Sequence, residues 1–418
     1  MLEQIYKSKT TIHQLRDGIL GLYLDDFSSY LIKQEYSHQT LHSYFGLISK
    51  LSTWLQNHQL MLGEFNEQRI NEFIHYRKET IGNFIRKGDA KALKAIINFL
   101  RNKNVIPQQE IAQSKNKSIE TLLEEFALYL VEEKGLTHST VKREKDIICL
   151  FLFKQFGKKT VHLEEISRSS LLAYINNSYK HYSSKNTQLI ASILRTFLHF
   201  LLVNGKVKAE FTGYIPSIPS YRAVHLPEFL TKNQVDRLLL SCDQKTVSGC
   251  RNYAILLLLV RLGLRASEVL KLSLDDIDWQ QGNIHIYGKR DKPRLLPLPH
   301  EVGRAIAKYL KNRHPHCPIR QVFLRSRAPF QGLHNSSNIS SIVHRALQSA
   351  GLSPRHQGAH LLRYTAASES LRCGATLFEI GDLLGHCSID TTALYTKVDV
   401  VRLKELSMPW PITQCGRI

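Results

Sequence analysis

Three polar residues in the second half of the chain have types and spacing that suit an anion-binding site. His360 and Arg363 lie three positions apart in "HLLRYTAA", so on a helix both side chains occupy one face and can bind the same anion. Arg265 follows a glycine in "LGLRASEVL" and begins a predicted helix. Simpler explanations exist, because an H-x-x-R pair can be solvated or cap a helix, and Arg265 can form a salt bridge with Glu268. These residues alone therefore leave the chemistry open.

A second candidate group lies in "LLGHCSIDTTALYTKV", residues 383–398, where Tyr395 follows His386 by nine positions. The polar segment around Tyr395 is predicted to be a short helix. A lone tyrosine in such a helix most often anchors it against its own domain. A chemical role for the phenol needs partners from elsewhere in the chain.

The segment before this histidine has clear helix boundaries. Thr376 and Glu379 stand at capping-box spacing in "TLFEIGDLLGH", and Gly385 is suited to end the helix that they begin. Ser388 can then cap the next helix, which carries Tyr395.

Together these residues resemble the tyrosine recombinase family, also called the phage-integrase family. That family carries an Arg in an "LGLRxSE" turn, a Lys in a "GK" hairpin turn, H-x-x-R, "LLGH" and a Tyr nine residues further on. The corresponding residues in this sequence are Arg265, Lys289, His360, Arg363, His386 and Tyr395. The resemblance extends over residues 226–404, and residues 118–207 resemble the core-binding domain of that family. Tyr364 stands where members often carry a second histidine, at a position that is not catalytic.

The resemblance implies that Tyr395 attacks a phosphodiester of DNA. A free phenol has a pKa near 10, so nearby positive charge has to stabilise the phenolate at neutral pH. In the implied scheme, Arg265 and Arg363 bind the two nonbridging oxygens and favour the transition state over the ground state. His386 donates a further hydrogen bond to the same oxygens.

Two other residues transfer protons in this scheme. His360 exchanges the proton of the phenol, since the pKa of a histidine lies near ambient pH. Lys289 is the expected general acid for the departing 5'-hydroxyl, with Arg290 and Lys292 close enough in sequence to compete for that role. A 3'-phosphotyrosyl linkage conserves the bond energy, so the scheme requires no metal, no cofactor and no ATP.

Hydrophobic patterning predicts a mainly α protein with a small β-hairpin in an α+β catalytic domain. In "GNIHIYG" the apolar residues alternate, a turn over 288–293 follows, and "RLLPL" forms the return strand. Helices are predicted in the same region at 232–240, 253–262 and 301–312.

Two earlier segments resemble each other at an offset close to one hundred residues. "DDFSSYL" at 25–31 matches "EEFALYL" at 124–130, and apolar residues at helical spacing predict a bundle of about four short helices in each copy. A polar stretch at 107–117 and a proline-rich stretch at 213–231 indicate linkers. The predicted parts are an extra N-terminal helical domain at 1–110, a core-binding helical domain at 111–215, the catalytic domain at 216–405 and a C-terminal tail at 406–418.

Composition favours a polyanionic partner. The chain has 56 Lys and Arg against 36 Asp and Glu, a formal net charge of +20. Its 7 cysteines include no CxxC pair, which argues against a disulfide framework and favours an intracellular protein. Neither a targeting sequence nor an apolar run of membrane-spanning length stands out, so we expect a cytoplasmic, nucleoid-associated protein with no membrane partner.

The resemblance implies double-stranded DNA with an inverted-repeat core site as the partner, and four protomers assembled on it. Partner recombinases are possible, and the extra N-terminal segment indicates an integrase of a mobile element. Two alternatives stay open: a type IB topoisomerase, and a DNA-binding accessory protein that does not cleave. A zinc site from His360, Cys373, His386 and Cys387 matches no closed zinc motif. We expect the tail around Trp410 to dock on a neighbouring protomer.

Overall fold

The computed structural model describes residues 2–81, 88–107, 117–157, 161–207, 210–217, 228–288, 293–314 and 317–385. Lys289, His386, Ser388 and Tyr395 lie outside these residues, as do the C-terminal tail and most of both predicted linkers.

The described residues form a mainly helical protein with one small sheet, which confirms the predicted fold class. The helices before the predicted catalytic domain are α1 Lys9–Arg16, α2 Gly21–Lys33, α3 His38–Asn57, α4 Glu67–Ile81, α5 Asp89–Asn102, α6 Lys117–Glu132, α7 His138–Phe156, α8 Arg168–His181 and α9 Ser184–Val203. The elements after them are α10 Lys232–Leu240, α11 Val247–Arg261, α12 Ala266–Lys271, β1 Ile277–Asp278, β2 Asn283–Tyr287, β3 Pro293–Pro297, α13 His300–Asn312, α14 Ser336–Ser349, α15 Ala359–Arg372 and α16 Leu377–Leu384.

The two segments with similar sequences share one order of elements. In each, two helices precede a single 3-10 turn, at Leu62–Glu64 and at Leu163–Glu165, and two more helices follow. A residue with positive φ ends the first helix in both, Glu35 at 61° and Gly135 at 58°. The N-cap of the second helix is Ser37 in one segment and Thr137 in the other. Matching local signals therefore give matching local structure.

The described residues divide into two compact units. One contains the described residues within 1–60, 73–96 and 225–418, and the other contains those within 61–72 and 97–224. The domain boundaries at 110, 215 and 405 stay a prediction.

The smaller unit is built around aromatic side chains of α6 and α9. Phe126, Phe197 and Phe200 are fully or almost fully buried, and the rings of Phe126 and Phe197 meet edge to face at 5.2 Å. Helix α9 is the one described helix that is long and apolar enough to cross a bilayer. Because its apolar residues, among them Leu194 and Leu201, are packed inside this core, we interpret it as a core helix.

Helix α11 forms the centre of the core of the predicted catalytic domain. Four consecutive residues, Leu256 to Leu259, have no exposed surface, as expected for a helix covered on all sides. The helix begins earlier than predicted, at Val247, because the Thr246 side chain caps it by accepting a hydrogen bond from the Gly249 amide at 3.0 Å. Apolar residues of α10, α13, α14 and α15 join α11 in one core.

The predicted hairpin is confirmed as strands β2 and β3. They pair antiparallel, with Ile284 opposite Leu296 and Ile286 opposite Arg294. Ile284 and Ile286 are buried, as the sequence alternation predicts. Strand β1, which the sequence pattern did not reveal, pairs with β2 and completes a three-stranded sheet in the order β1-β2-β3. The prolines of β3 lie on an edge strand, where the missing amide hydrogens cost no ladder bond.

Candidate active site

Arg265 is positioned by a tight turn between α11 and α12. Gly263 has φ of 59°, in the left-handed region, and Arg265 is the N-cap residue of α12, in agreement with the predicted helix start. Its guanidinium donates from Nη1 to Glu268 Oε1 at 2.8 Å and from Nη2 to the Gly385 carbonyl at 2.9 Å. The salt bridge to Glu268, the simpler explanation from the sequence, is therefore present. Arg265 in addition reaches a residue 120 positions away.

Arg363 lies on α15 and is 3% exposed. Its guanidinium donates from Nη1 to the Gly263 carbonyl and from Nη2 to the Leu384 carbonyl, both at 2.6 Å. It thus joins the turn that precedes Arg265 to the end of α16. Hydrogen bonds to backbone at both ends hold the charged group in one orientation despite its burial.

The two arginines converge on a single turn. Arg363 binds the carbonyl of Leu384, and Arg265 binds the carbonyl of Gly385, the next residue. Gly385 ends α16 in the left-handed conformation, with φ of 62° and ψ of 54°, as predicted. The next residue in the chain is His386. Two cationic side chains thus bind the backbone immediately before the histidine that the family motif singles out.

Helix α16, which leads into this turn, begins with the predicted capping box. The Thr376 hydroxyl accepts a hydrogen bond from the Glu379 amide at 3.2 Å, and the Glu379 carboxylate accepts one from the Thr376 amide at 2.7 Å. Ile380 and Leu384 are fully buried against Ala367 and Leu371 of α15. This packing fixes the position of the turn relative to the helix that carries Arg363.

His360 stands one helical turn before Arg363 on α15, as its spacing predicts. Its pKa is lowered, first because surrounding atoms displace water from the ring, and then because Arg363 and Arg265 oppose a further positive charge. A histidine in this position is neutral at neutral pH and can accept a proton.

Two charged residues that the sequence analysis did not assign to the site lie beside Arg265. Glu268 is buried, with 2% of its side chain exposed, and Arg294 of β3 donates from Nη2 to Glu268 Oε2 at 2.8 Å. Burial lowers the pKa of Arg294, and the Glu268 carboxylate opposes this effect. The i,i+3 spacing of Arg265 and Glu268 was a visible signal in the sequence. Nothing in the sequence linked Arg294 to either of them.

The structure thus brings together three of the six predicted site residues: Arg265, His360 and Arg363. Lys289, His386 and Tyr395 lie outside the described residues. Planar guanidinium groups match the oxygens of a phosphate, and a neutral imidazole beside them can exchange a proton with a bound substrate. The described part of the site is therefore suited to bind and activate a phosphate ester.

A metal centre does not fit the described residues. They contain no group of three or more His, Cys, Asp or Glu side chains that could hold a metal ion. His360 and Cys373 stand at opposite ends of α15, which at 1.5 Å per residue separates them by about 20 Å. They cannot share one zinc ion, and His386 and Cys387, the other two residues of that alternative, lie outside the described residues.

Comparison with known proteins places this site in a family. Residues 228–402 match the model described as the phage integrase family. A protein of Sinorhizobium fredii named as an integrase/recombinase, y4rA, is 32% identical over 94% of this chain and 95% of its own length. The tyrosine recombinase XerD of Listeria innocua is 30% identical over 68% of this chain and 96% of its own length.

Solved structures show the same fold. The XerH recombinase bound to its difH substrate matches 72% of this chain and 98% of its own, with a TM-score of 0.54 and 20% identity. A lambda integrase dimer bound to a core site matches 84% of this chain and 90% of its own, with a TM-score of 0.53 and 16% identity.

Two observations lead to one assignment. The relatives match over nearly their whole length, and the structure brings Arg265, His360 and Arg363 together. The chain belongs to the phage integrase family of tyrosine recombinases, the site-specific DNA recombinases.

Proposed function

We propose that this protein cuts and rejoins DNA at specific sites through a 3'-phosphotyrosyl intermediate formed by Tyr395, for the integration or excision of a mobile element. The observation that carries the proposal is the convergence of Arg265 and Arg363 on Leu384 and Gly385, directly before His386. Phosphodiester cleavage needs positive charge at one phosphate, and the contacts of these two guanidinium groups keep their charges together.

In the proposed reaction, the Tyr395 oxygen attacks the scissile phosphorus while His360 takes the phenolic proton. The bond between phosphorus and the 5'-oxygen breaks, and Lys289 supplies the proton to the departing 5'-hydroxyl. Arg265, Arg363 and His386 stabilise the charge on the nonbridging oxygens. Attack by a 5'-hydroxyl from the other DNA site reverses these steps and restores a phosphodiester.

The lowered pKa of His360 supports its role as the proton acceptor. Because neighbouring atoms displace part of the water around the ring and two arginines lie nearby, the imidazolium is disfavoured, and the ring is available in its neutral form when the phenol has to lose its proton. The low basicity of the ring also keeps the proton mobile, so that it can return to the phenolate when the linkage is resolved.

Strand exchange between two DNA sites would use four protomers and a Holliday junction. Lambda integrase, a neighbour in fold, has been solved as a tetramer bound to a Holliday junction. The high positive charge of this chain, +20, favours such close association with DNA. We expect the protein to act in the cytoplasm, at the nucleoid.

A mobile-element role is supported by the part of this chain that exceeds the smaller relatives. XerD of Listeria innocua aligns over 96% of its own length with 68% of this chain. The longer relative y4rA aligns with 94% of this chain. A neighbour in fold is the integrase of the transposon Tn1549. The extra residues would contact further DNA or further protomers.

Covalent trapping tests the proposal. Inverted repeats in the genomic flanks of the gene would supply the substrate, as a duplex nicked so that the short product diffuses away after cleavage. We expect a covalent protein–DNA complex with the wild-type protein and none with Tyr395→Phe. Identical behaviour of the two proteins would instead support a DNA-binding accessory protein. Relaxation of a supercoiled plasmid that lacks the repeats would support a type IB topoisomerase.

A further inference from the structure

Arg294 shares a buried carboxylate with the first arginine of the site. Glu268 accepts from Arg265 Nη1 through Oε1 and from Arg294 Nη2 through Oε2, each at 2.8 Å. Glu268 Oε2 also accepts from the Arg265 backbone amide at 2.8 Å. Two of the three hydrogen bonds that this carboxylate accepts among the described residues hold Arg265, and the third comes from Arg294.

Arg265, Glu268 and Arg294 form a charged group that is net positive only because it contains Arg294. Arg265 and Glu268 alone form a neutral pair, which attracts a phosphate weakly. The Arg294 guanidinium adds one positive charge to the pair at hydrogen-bonding distance from the same carboxylate. In a partly buried site, where water screens little, such a charge is felt strongly by an anion nearby.

Arg294 also occupies the space beneath the turn that both site arginines bind. A Cβ atom added to Gly385 would lie 1.9 Å from Arg294 Nη1 and 3.0 Å from Arg294 Cζ. The guanidinium is therefore packed against the backbone whose carbonyl accepts from Arg265. One side chain thus contacts both the carboxylate that holds Arg265 and the residue that Arg265 itself binds.

Stability alone does not explain this arginine. Its side chain is 15% exposed, and its Nε is buried without a hydrogen-bond partner among the residues that the structure describes. An apolar side chain of similar volume would fill the space without leaving a buried donor unsatisfied. The charge of the Arg294 side chain, and not only its volume, is therefore needed to explain an arginine at this position.

We propose that Arg294 is a positioning residue for strand cleavage: it offsets the charge of Glu268 and supports the Gly385 turn, so that Arg265 presents a full positive charge to the scissile phosphate. The inference rests on the proposed function, because it assigns Arg294 to the same phosphate site. It adds a residue that acts through Arg265 without touching the substrate.

The test compares single-turnover cleavage of two nicked duplexes, one with an ordinary scissile phosphate and one with a neutral methylphosphonate at that position. We expect Arg294→Gln to cleave the phosphate duplex roughly tenfold to a hundredfold more slowly, as for a displaced catalytic group. On the methylphosphonate duplex, where less negative charge has to be balanced, we expect the loss relative to wild type to be much smaller. Equal losses on both duplexes would overturn the proposal, because a purely structural defect does not distinguish them.

A double variant provides a second, independent measurement. Glu268→Gln combined with Arg294→Gln restores the net charge around Arg265 to its original value. We therefore expect the double variant to cleave the phosphate duplex faster than Arg294→Gln alone. A double variant no faster than Arg294→Gln alone would contradict the electrostatic role.

Two controls separate this inference from the proposed function. Arg320→Gln removes an exposed arginine that pairs with Asp275 away from the site, and it should leave both rates unchanged. If the wild-type protein forms no covalent complex with DNA, or if Tyr395→Phe forms the same complex, the proposed function fails. If that complex forms and Arg294→Gln matches the wild-type rate on the phosphate duplex, only the inference about Arg294 fails.

Discussion

Two groups of arginines in the catalytic region donate to backbone carbonyls but have different consequences: Arg251 and Arg313 form the first group, and Arg265 and Arg363 form the second. Arg251 and Arg313, which are 7% and 9% exposed, donate to the carbonyls of Leu324 and Gln321 at 2.8 Å. Arg363 donates to the carbonyls of Gly263 and Leu384 in the same way. Hydrogen bonds from a buried guanidinium to backbone therefore do not by themselves identify an active site.

The difference lies in what surrounds each group. Arg251 and Arg313 both bind the loop after α13, and together they line a cavity of about 280 Å³ with the apolar rings of Tyr309 and Phe330. Arg363 instead meets Arg265 and His360 at the turn that precedes His386. The first group fixes a loop, whereas the second concentrates charge where a substrate can be bound.

The largest expected effect comes from removing charge from the second group. Arg363→Ala should lower the cleavage rate about a thousandfold, because a preorganised donor to the transition-state oxygens is lost. Covalent trapping under single-turnover conditions measures this rate. Arg313→Ala serves as the matched control, with little change expected per folded molecule. A loss below tenfold in a folded Arg363→Ala protein would contradict the assigned role.

In the first group, the expected effect is on stability. Arg251→Ala should lower the free energy of unfolding of the catalytic region by about 2 to 4 kcal/mol, because it removes the donor to the buried Leu324 carbonyl and enlarges a cavity. Urea denaturation followed by circular dichroism measures the change. If Arg251→Ala kept its stability but lost cleavage activity, Arg251 would act in the reaction and not in holding the loop.

The protonation of His360 should give the second group a pH dependence that the first group lacks. The cleavage rate should fall as the pH drops through the lowered pKa of His360, because the protonated ring cannot accept the phenolic proton. The folded state should also lose stability as the pH falls below the ordinary value of 6.5, since the unfolded chain takes up this proton first. The stability loss levels off once the folded ring is protonated as well. The same pH dependence in His360→Gln would show that another group is responsible.

The smallest effect is expected outside both groups. Arg320 pairs with Asp275 on the surface, and both side chains are more than 60% exposed. Because water screens such pairs, Arg320→Ala should leave the thermal midpoint and the cleavage rate unchanged within error. A clear shift in either quantity would mean that an exposed arginine outside both groups also contributes to stability or cleavage.

Much of the local structure was predictable from the sequence, because its signals are short in range. The capping box of Thr376 and Glu379, the helix end at Gly385 and the alternation of Ile284 and Ile286 all depend on neighbours within a few residues. The shared face of His360 and Arg363 follows from helix geometry in the same way. Where a boundary was missed, as at Val247, the cause was an unrecognised N-cap, Thr246.

Only the tertiary structure showed which distant residues act together. Arg294 is 26 positions from Glu268, and Arg265 is 120 positions from Gly385, so no periodicity in the sequence relates either pair. Their contacts depend on the packing of α11, α15, α16 and the hairpin around one core. Local signals in the sequence were sufficient to predict the candidate site residues and most of the helices that carry them. The fold decided that one carboxylate joins two arginines beneath one turn, because that choice depends on side-chain packing across the whole region.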